Sequence, residues 1–357
     1  MKKPSKKSAL KEVKGVENIQ RLNSVWAVRK RKQPAIDIDL YVQKIREGDK
    51  IFLSKAITLI ESQNPERFKA GRNILKKLLP YTGNSVRIGI TGVPGVGKST
   101  FIENVGKHYT AEGHKVAVLA IDPSSSLSKG SILGDKTRME QLAKDSNAYV
   151  RPTASGKQLG GVARKTRESI LLCEAAGYDR IIVETVGVGQ SETMVAQMVD
   201  FFLLLKLAGA GDELQGIKRG IMEMADLIVI HKADGENLHA AKMAQRAFQT
   251  ALHYFQPKEN GWNPEVILAS SITGKGIDKV KNIIDKFTTI NKKNNFLKKN
   301  RQSQELFWLH ETIKQTIFKD FQENKRIIEY FPKVIKKMEK KELDVFEAAE
   351  FLLNLQK

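Results

Sequence analysis

A chain of 357 residues with a single cysteine and a formal charge of +20 is long enough to bury a full hydrophobic core, as one sizeable α/β domain with additions or as two domains. The lone Cys173 excludes an internal disulfide and any paired-cysteine metal or redox site, and is expected in the core rather than as a nucleophile. No apolar stretch reaches the roughly 20 uncharged residues of a membrane span, because "DFFLLLKLAGAGD" at 200–212 carries Lys206 and ends in glycines.

The positive excess raises nucleic acid as a partner, but its distribution argues against one. Residues 1–32 hold eleven Lys and Arg against Glu12 and Glu17, and "NKKNNFLKKNR" at 291–301 is a second basic run. Such runs read as a solvated leader and a linker, and no RNA-binding aromatic signature accompanies them. The Lys-rich N-terminus has no apolar signal segment and few serines, so cytoplasm is the expected compartment.

In chain order, residues 1–80 are expected to form a basic leader and a helical extension. "DLYVQKIREGDK" and "KIFLSKAITLIESQNPERFKAGRNILKKLLPY" repeat apolar residues at three- and four-residue spacing, with a break at Ser62–Pro65. From 81 to 290, β-branched runs alternate with helical stretches: "SVRIGIT", "KVAVLAID", "NAYVRP", "DRIIVET", "DFFLLLKLA", "DLIVIHK" and "EVILAS". That alternation predicts an α/β fold, a mostly parallel sheet sandwiched by helices. From 291 to 357 a linker and then helices only are expected, "SQELFWLHETIKQTIFKDFQEN" and "ELDVFEAAEFLLNLQ". Their apolar stripes need burial, either on their own domain or against a second copy.

The strongest motif is "RIGITGVPGVGKST" at 87–100, in which Gly92 precedes Gly97-Lys98-Ser99 at P-loop spacing, after an apolar strand and at the start of a helix. Glycines let backbone N–H groups turn toward a β-phosphate, Lys98 reaches the β/γ oxygens, and Ser99 offers a hydroxyl to Mg²⁺. Three acids are candidate metal ligands: Asp122 ends the second strand, Asp135 lies in "KGSILGDKTRM", and Glu184 ends "RIIVET". Ligands of doubly wound sheets gather at the carboxyl ends of strands, which puts Asp122 and Glu184 on the P-loop rim. Mg²⁺ needs only one hydroxyl with one or two carboxylates, the rest being water; each acid taken singly also reads as a helix cap or turn residue. "ETVGVGQSE" at 184–192 repeats the logic of an Asp-x-x-Gly switch, with Glu184 for the aspartate, Gly187 offering its N–H to a γ-phosphate and Gln190 orienting the attacking water.

Guanine recognition is expected at the end of a later strand, in "DLIVIHKADGE" at 226–236. The Asp234 carboxylate can accept from both guanine N1–H and the exocyclic amine, a donor pair that adenine lacks. Lys232 would lay its aliphatic stem along the base. One strand later "ILASSITGKGID" supplies Ser270, Ser271 and Ile272, able to present a backbone N–H to the guanine carbonyl.

With these residues in place, the chain over roughly 40–355 resembles the methylmalonyl-CoA mutase-associated GTPases of the MeaB type, once labelled ArgK, within the SIMIBI class of P-loop GTPases. The carriers are "GVPGVGKST", "AIDPSS", "GSILGDKTRM", "RPTASGKQLGG", "ETVGVGQSE", "GAGDELQGIKRGIMEMADLIV" and "SSITGKGI". The resemblance implies that Gly92, Val93, Pro94, Gly95, Val96, Gly97, Lys98, Ser99 and Thr100 hold the phosphates. It assigns Asp122, Asp135 and Glu184 to the metal or switch region, and the loop of His231, Lys232 and Asp234, with Ser270–Ile272, to the base. Gln215 and Lys218 would form a third switch that responds to the nucleotide and signals to the partner, so that Lys98, Glu184, Gln190 and Lys218 are the candidate catalytic set. It further implies a homodimer through the C-terminal helices and a chaperone of an adenosylcobalamin-dependent methylmalonyl-CoA mutase, which gates cofactor loading and protects the mutase. The leader "MKKPSKKSALKEVKG" matches no family motif. His231 departs from the family's usual asparagine, which bonds the base edge and ties the loop to the P-loop. A neutral histidine keeps one donor and one acceptor but is bulkier, so GTP is expected to stay preferred over ATP with weaker affinity.

Two other readings of the same fold carry less support. A metal-delivery accessory GTPase usually has Cys/His clusters, which one cysteine and six scattered histidines do not supply. A kinase or transport ATPase needs an acceptor pocket and a general base that no motif provides. Hydrolysis is expected to be slow in isolation for want of an arginine finger; Arg138 and Arg164 are the candidates.

Overall fold

The structure is a computed structural model that describes residues 36–121, 139–153, 159–185, 191–209 and 219–355. The chain divides after Asp37, and the fold below is that of Ile38–Lys357.

Three helices come first: α1 (Ile38–Arg46), α2 (Lys50–Glu61) and α3 (Pro65–Leu78). Their boundaries are capped by short polar side chains. Asp49 accepts from the Ile51 and Phe52 N–H groups, Asn64 accepts from those of Glu66 and Arg67, and Pro65 opens α3 where its missing N–H costs nothing. The expected break at Ser62–Pro65 is therefore the α2–α3 junction.

Strands and helices then alternate as β1 (Val86–Gly92), α4 (Lys98–Ala111), β2 (Val116–Ile121), α5 (Glu140–Lys144), β3 (Ala148–Thr153), α6 (Leu159–Ala175), β4 (Arg180–Thr185), α7 (Ser191–Ala196), β5 (Phe201–Leu207), α8 (Arg219–Met224), β6 (Leu227–His231), α9 (Leu238–Leu252), β7 (Glu265–Leu268) and α10 (Ile277–Lys293). Among the described residues the strands form one seven-stranded sheet in the order β3-β2-β4-β1-β5-β6-β7, every pairing parallel. All seven apolar runs of the sequence are strands of this sheet.

Both faces of the sheet are covered, which is why its strands read as mostly apolar runs. Along β5 and β6, Phe201, Leu203, Leu205, Leu227 and Val229 join Phe101, Val105 and Tyr109 of α4 and Ile284 and Phe287 of α10 in one cluster. Leu204, Ile228 and Ile230 point the other way, into a cluster with Ala241, Ala244 and Phe248 of α9. The alternation follows from the period-two geometry of strands.

The C-terminal zone holds α11 (Phe296–Glu323), α12 (Lys325–Glu339) and α13 (Val345–Asn354). The run 291–301, read from its Lys and Asn content as a linker, is instead the end of α10, a two-residue turn and the first turns of α11. Lys, Arg and Gln are good helix formers whose charge can face water along one side, so composition alone does not mark a linker. Arg301 in this run is held by Asp200, with N–O distances of 2.8 and 2.6 Å, and by the Gly83 and Ser85 carbonyls. Gln304 and Trp308 donate to the Val199 and Gln197 carbonyls at 2.7 Å each, fastening α11 to the turn between α7 and β5. Beyond that anchor, Leu309, Ile313, Ile317 and Phe318 stand exposed. Among the described residues no helix is long and apolar enough to cross a membrane.

Candidate active site

The turn after β1 sits at the centre of the carboxyl rim, because β1 is flanked by β4 and β5. Gly92 pairs with Leu205, and a Cβ on Gly92 would lie 2.6 Å from the Leu205 carbonyl oxygen, so only glycine lets the loop leave the sheet there. Gly95 (φ 81°) and Gly97 (φ 92°) take left-handed backbone that costs other residues about 1–2 kcal/mol each. Val93, Pro94 and Gly95 are exposed at the loop crest, Val96 is buried beneath it, and Gly97 leads into Lys98, Ser99 and Thr100 in the first turn of α4.

Lys98 is buried and donates to the Gly92 and Val93 carbonyls at 2.8 and 3.2 Å. Burial pushes its ammonium below the ordinary value, against the opposing charges of Glu184 and Glu192. Ser99 donates to Glu184 at 3.3 Å, which brings two hard oxygens together beside the loop. Those atoms suit the hydroxyl-plus-carboxylate set that Mg²⁺ takes. At the same level Thr185 donates to Thr91 at 2.7 Å between two buried hydroxyls, locking β4 to β1 where the loop begins. Sequence reasoning missed that pair, and it missed Glu192 as a charge near Lys98, although "GQSE" holds it. Asp122, Asp135, Gln190, Lys218, Gly187, Gln215 and Arg138 lie outside the described residues. Arg164 packs its guanidinium over the Phe68 ring of α3, 5.6 Å from the centroid.

The two base loops lie side by side. Ala269 N–H donates to the Ile230 carbonyl at 3.0 Å, and Ala233 N–H to the Ala269 carbonyl at 3.1 Å, so the ends of β6 and β7 are stitched together. Lys232 has left-handed backbone (φ 57°) and donates to the Gly95 carbonyl at 2.9 Å, which carries its stem over the P-loop. Asp234 is half-buried and accepts from the Ser270 hydroxyl. Ser271 is half-buried and its carbonyl takes an N–H from Asn104 of α4 at 3.4 Å. Ile272 stands 84% exposed at the tip, an apolar side chain with nothing from the described chain over it.

His231 is the centre of this arrangement. It ends β6, 2% exposed, with Nδ1 2.6 Å from the Val96 carbonyl and Nε2 2.7 Å from the Ser271 hydroxyl. Phe101 meets its ring edge-on at 5.5 Å and 81°. Burial holds its pKa below the ordinary 6.5; the Val96 bond opposes that shift. The P-loop, the 231–234 loop and the 270–272 loop thus share one buried imidazole. Because a trans peptide sets N–H opposite C=O, the bond to Val96 turns the Gly97 N–H away from the ring.

The chain is similar to known proteins. A family profile described as methylmalonyl-CoA mutase-associated GTPase MeaB matches residues 53–326. The chain is 46% identical over 290 residues to the GTPase ArgK of Escherichia coli, covering 81% of this chain and 88% of that one. It is 41% identical over 326 residues to the mitochondrial methylmalonic aciduria type A homolog of Mus musculus, covering 88% and 79%. A crystal structure described as LAO/AO transport system kinase superposes with a TM-score of 0.73 at 36% identity, covering 90% of this chain and all of that one. The seven-stranded P-loop fold and these matches together establish that the chain belongs to the MeaB family of methylmalonyl-CoA mutase-associated GTPases and is a GTP hydrolase.

Proposed function

We propose that the chain is a Mg²⁺-dependent GTPase that acts as a chaperone of an adenosylcobalamin-dependent methylmalonyl-CoA mutase, gating cofactor loading and protecting the mutase. The observation that carries this reading is the assembly, on one sheet rim, of a P-loop lysine, the Ser99–Glu184 pair and two joined base loops, in a chain matched by a mutase-associated family.

In this reading the N–H groups of the Gly92–Thr100 loop cradle the β-phosphate, and a triphosphate takes the Lys98 ammonium from the two carbonyls it now serves. Mg²⁺ would be held by Ser99 and, directly or through water, by Glu184, with Asp122 and Asp135 as the further acids; when bound it offsets charge on the β/γ oxygens. Gln190 orients the attacking water and Lys218 belongs to a nucleotide-responsive switch. Asp234 accepts from guanine N1–H and the amine, Lys232 covers the base face, and the 270–272 loop serves the carbonyl. The roles divide along the chain as a leader and helical extension over 1–80, a catalytic core over 81–290 and a C-terminal arm over 291–357. The exposed row Leu309, Ile313 and Ile317 on α11 is the face on which the arm would join a second copy into a homodimer. Cytoplasmic residence belongs to the same proposal.

The test is co-purification with adenosylcobalamin-dependent mutases from the native cell, followed by cofactor-loading kinetics with the purified pair. Nucleotide-dependent loading is expected, and Lys98→Ala should lose both tight triphosphate binding and that dependence. Hydrolysis retained by Lys98→Ala would refute the site, and loading indifferent to the GTPase would refute the chaperone role.

A further inference from the structure

We infer that His231 is a clamp between the P-loop and the second base loop rather than a base contact, and that this chain reads guanine without using the N7 atom of the base. The inference rests on the guanine site proposed above and concerns which atoms of the base that site reads.

The argument is a count of donors. The Val96 carbonyl can only accept, so the Nδ1 that lies 2.6 Å from it carries a hydrogen. In the neutral ring Nε2 is then an acceptor, and its partner at 2.7 Å, the Ser271 hydroxyl, donates to it. Both ring nitrogens and the Ser271 proton are consumed. Protonation would turn Nε2 into a donor to the Ser271 oxygen and release the hydroxyl proton, but a ring 2% exposed with burial lowering its pKa is the neutral one at neutral pH, where the count above applies. The ring has little room to turn away. It is 2% exposed, Phe101 packs against its edge, and the face toward Gly97 is so close that a Cβ there would stand 2.9 Å from Cε1.

Guanine presents N7 and O6 along one edge, and both are acceptors that need an N–H or O–H. The amide of an asparagine carries two hydrogens on one nitrogen, so it can bond the loop carbonyl with one and the base with the other. An imidazole puts its two nitrogens on different sides of a ring, and here each is committed. The nearby Lys232 ammonium gives one hydrogen to the Gly95 carbonyl, and in the site proposed above its stem lies along the face of the base rather than at the N7 edge. O6 can still be met by the backbone of the 270–272 loop, and N1–H and the amine by Asp234. N7 is the atom left to water. Recognition therefore concentrates on the Watson–Crick edge, while His231 spends its bonds on holding the two loops at fixed separation.

The experiment compares GTP, 7-deaza-GTP and ATP by competition binding to the full chain. The deaza analogue replaces N7 by C–H and keeps shape and the other edge. The expected result is GTP and 7-deaza-GTP bound within about twofold of each other, both well ahead of ATP. A native chain that binds 7-deaza-GTP fivefold or more weakly than GTP overturns the inference, because some group then donates to N7. In His231→Asn the analogue should fall about fivefold behind GTP, the value of one neutral hydrogen bond. Equal binding of the two by that variant would mean that position 231 does not face N7, and would also overturn the assignment. The native-chain comparison decides the matter even if the variant folds poorly. Failure of the native chain to prefer GTP over ATP would instead remove the guanine reading itself, an outcome distinct from a GTP-selective chain that needs N7.

Discussion

Gly97→Ala tests the contact between the P-loop and the base loop through stability. The new Cβ adopts left-handed backbone, costing about 1–2 kcal/mol, and meets a ring that two hydrogen bonds hold in place. Its separation from Cε1 and Nδ1 would be 2.9 and 3.1 Å, closer than packed carbon atoms approach, and forcing such a fit in a full core costs a further ~1–3 kcal/mol. The total is about 2–5 kcal/mol in the native background. In a His231→Ala background the ring is gone, so only the backbone cost of about 1–2 kcal/mol should remain. Urea unfolding of the four proteins at one protein concentration measures the coupling, expected at ~1–3 kcal/mol, with the double variant less damaged than the sum of the singles. Additivity within about 0.5 kcal/mol would refute the description of His231 as wedged against Gly97.

Two further outcomes are expected. Because burial lowers the His231 pKa below its ordinary 6.5, with Lys232 adding to the shift and Val96 and Asp234 opposing it, the unfolded chain takes up a proton before the folded one; stability is full above pH 6.5 and falls as the pH drops from there toward the folded pKa. The urea midpoint of the native chain should decline faster than that of His231→Asn between pH 7.5 and 5.5, and parallel declines would refute this. Arg301→Ala strands Asp200, whose side chain is 1% exposed, with the Arg87 N–H as a remaining donor; the loss should be about 3–5 kcal/mol, and a loss under 1 kcal/mol by denaturation would show that the pair does not hold α11.

The sheet was legible because a strand buried on both faces must be apolar over most of its length, and all seven runs were. The P-loop was legible because its chemistry is local: glycines, lysine and serine act within nine consecutive residues. His231 was legible only in part. Its type gives one donor and one acceptor, but their partners, Val96 and Ser271, are 135 and 40 residues away, and tertiary structure alone decides whether either nitrogen is left for a ligand. Charge was read least well. Arg87 lies in an otherwise apolar strand and Glu174 in the apolar stretch "LLCEAAG", and they form a buried pair at 2.9 Å that also takes the Ser85 hydroxyl. A lone charge inside an apolar run is the signal that was available, since such residues are seldom buried unpaired. Burial pushes the Glu174 carboxyl up, yet the Arg87 charge and the hydrogen bonds from Arg87, Ser85 and Gly83 leave it below the usual range. Arg301 was hidden by the composition around it, where neighbouring lysines suggested a tether.

The anchoring of α11 has a mechanical consequence. Its first turns are bolted at Arg301, Gln304 and Trp308 to the turn that feeds β5, at the amino edge of the sheet, from which β5 runs beside β1 to the opposite edge that carries the P-loop. The helix has 28 residues, a rod of about 42 Å, of which about 22 Å extends past Trp308. Tilting the bolted end by about 5° would swing the far end by about 2 Å, the width of an atomic contact. A small tilt of that anchor would thus reach Ile317 and Phe318, about 14–15 Å past Trp308, as a displacement of about 1 Å, enough to separate apolar surfaces that mesh from surfaces that do not.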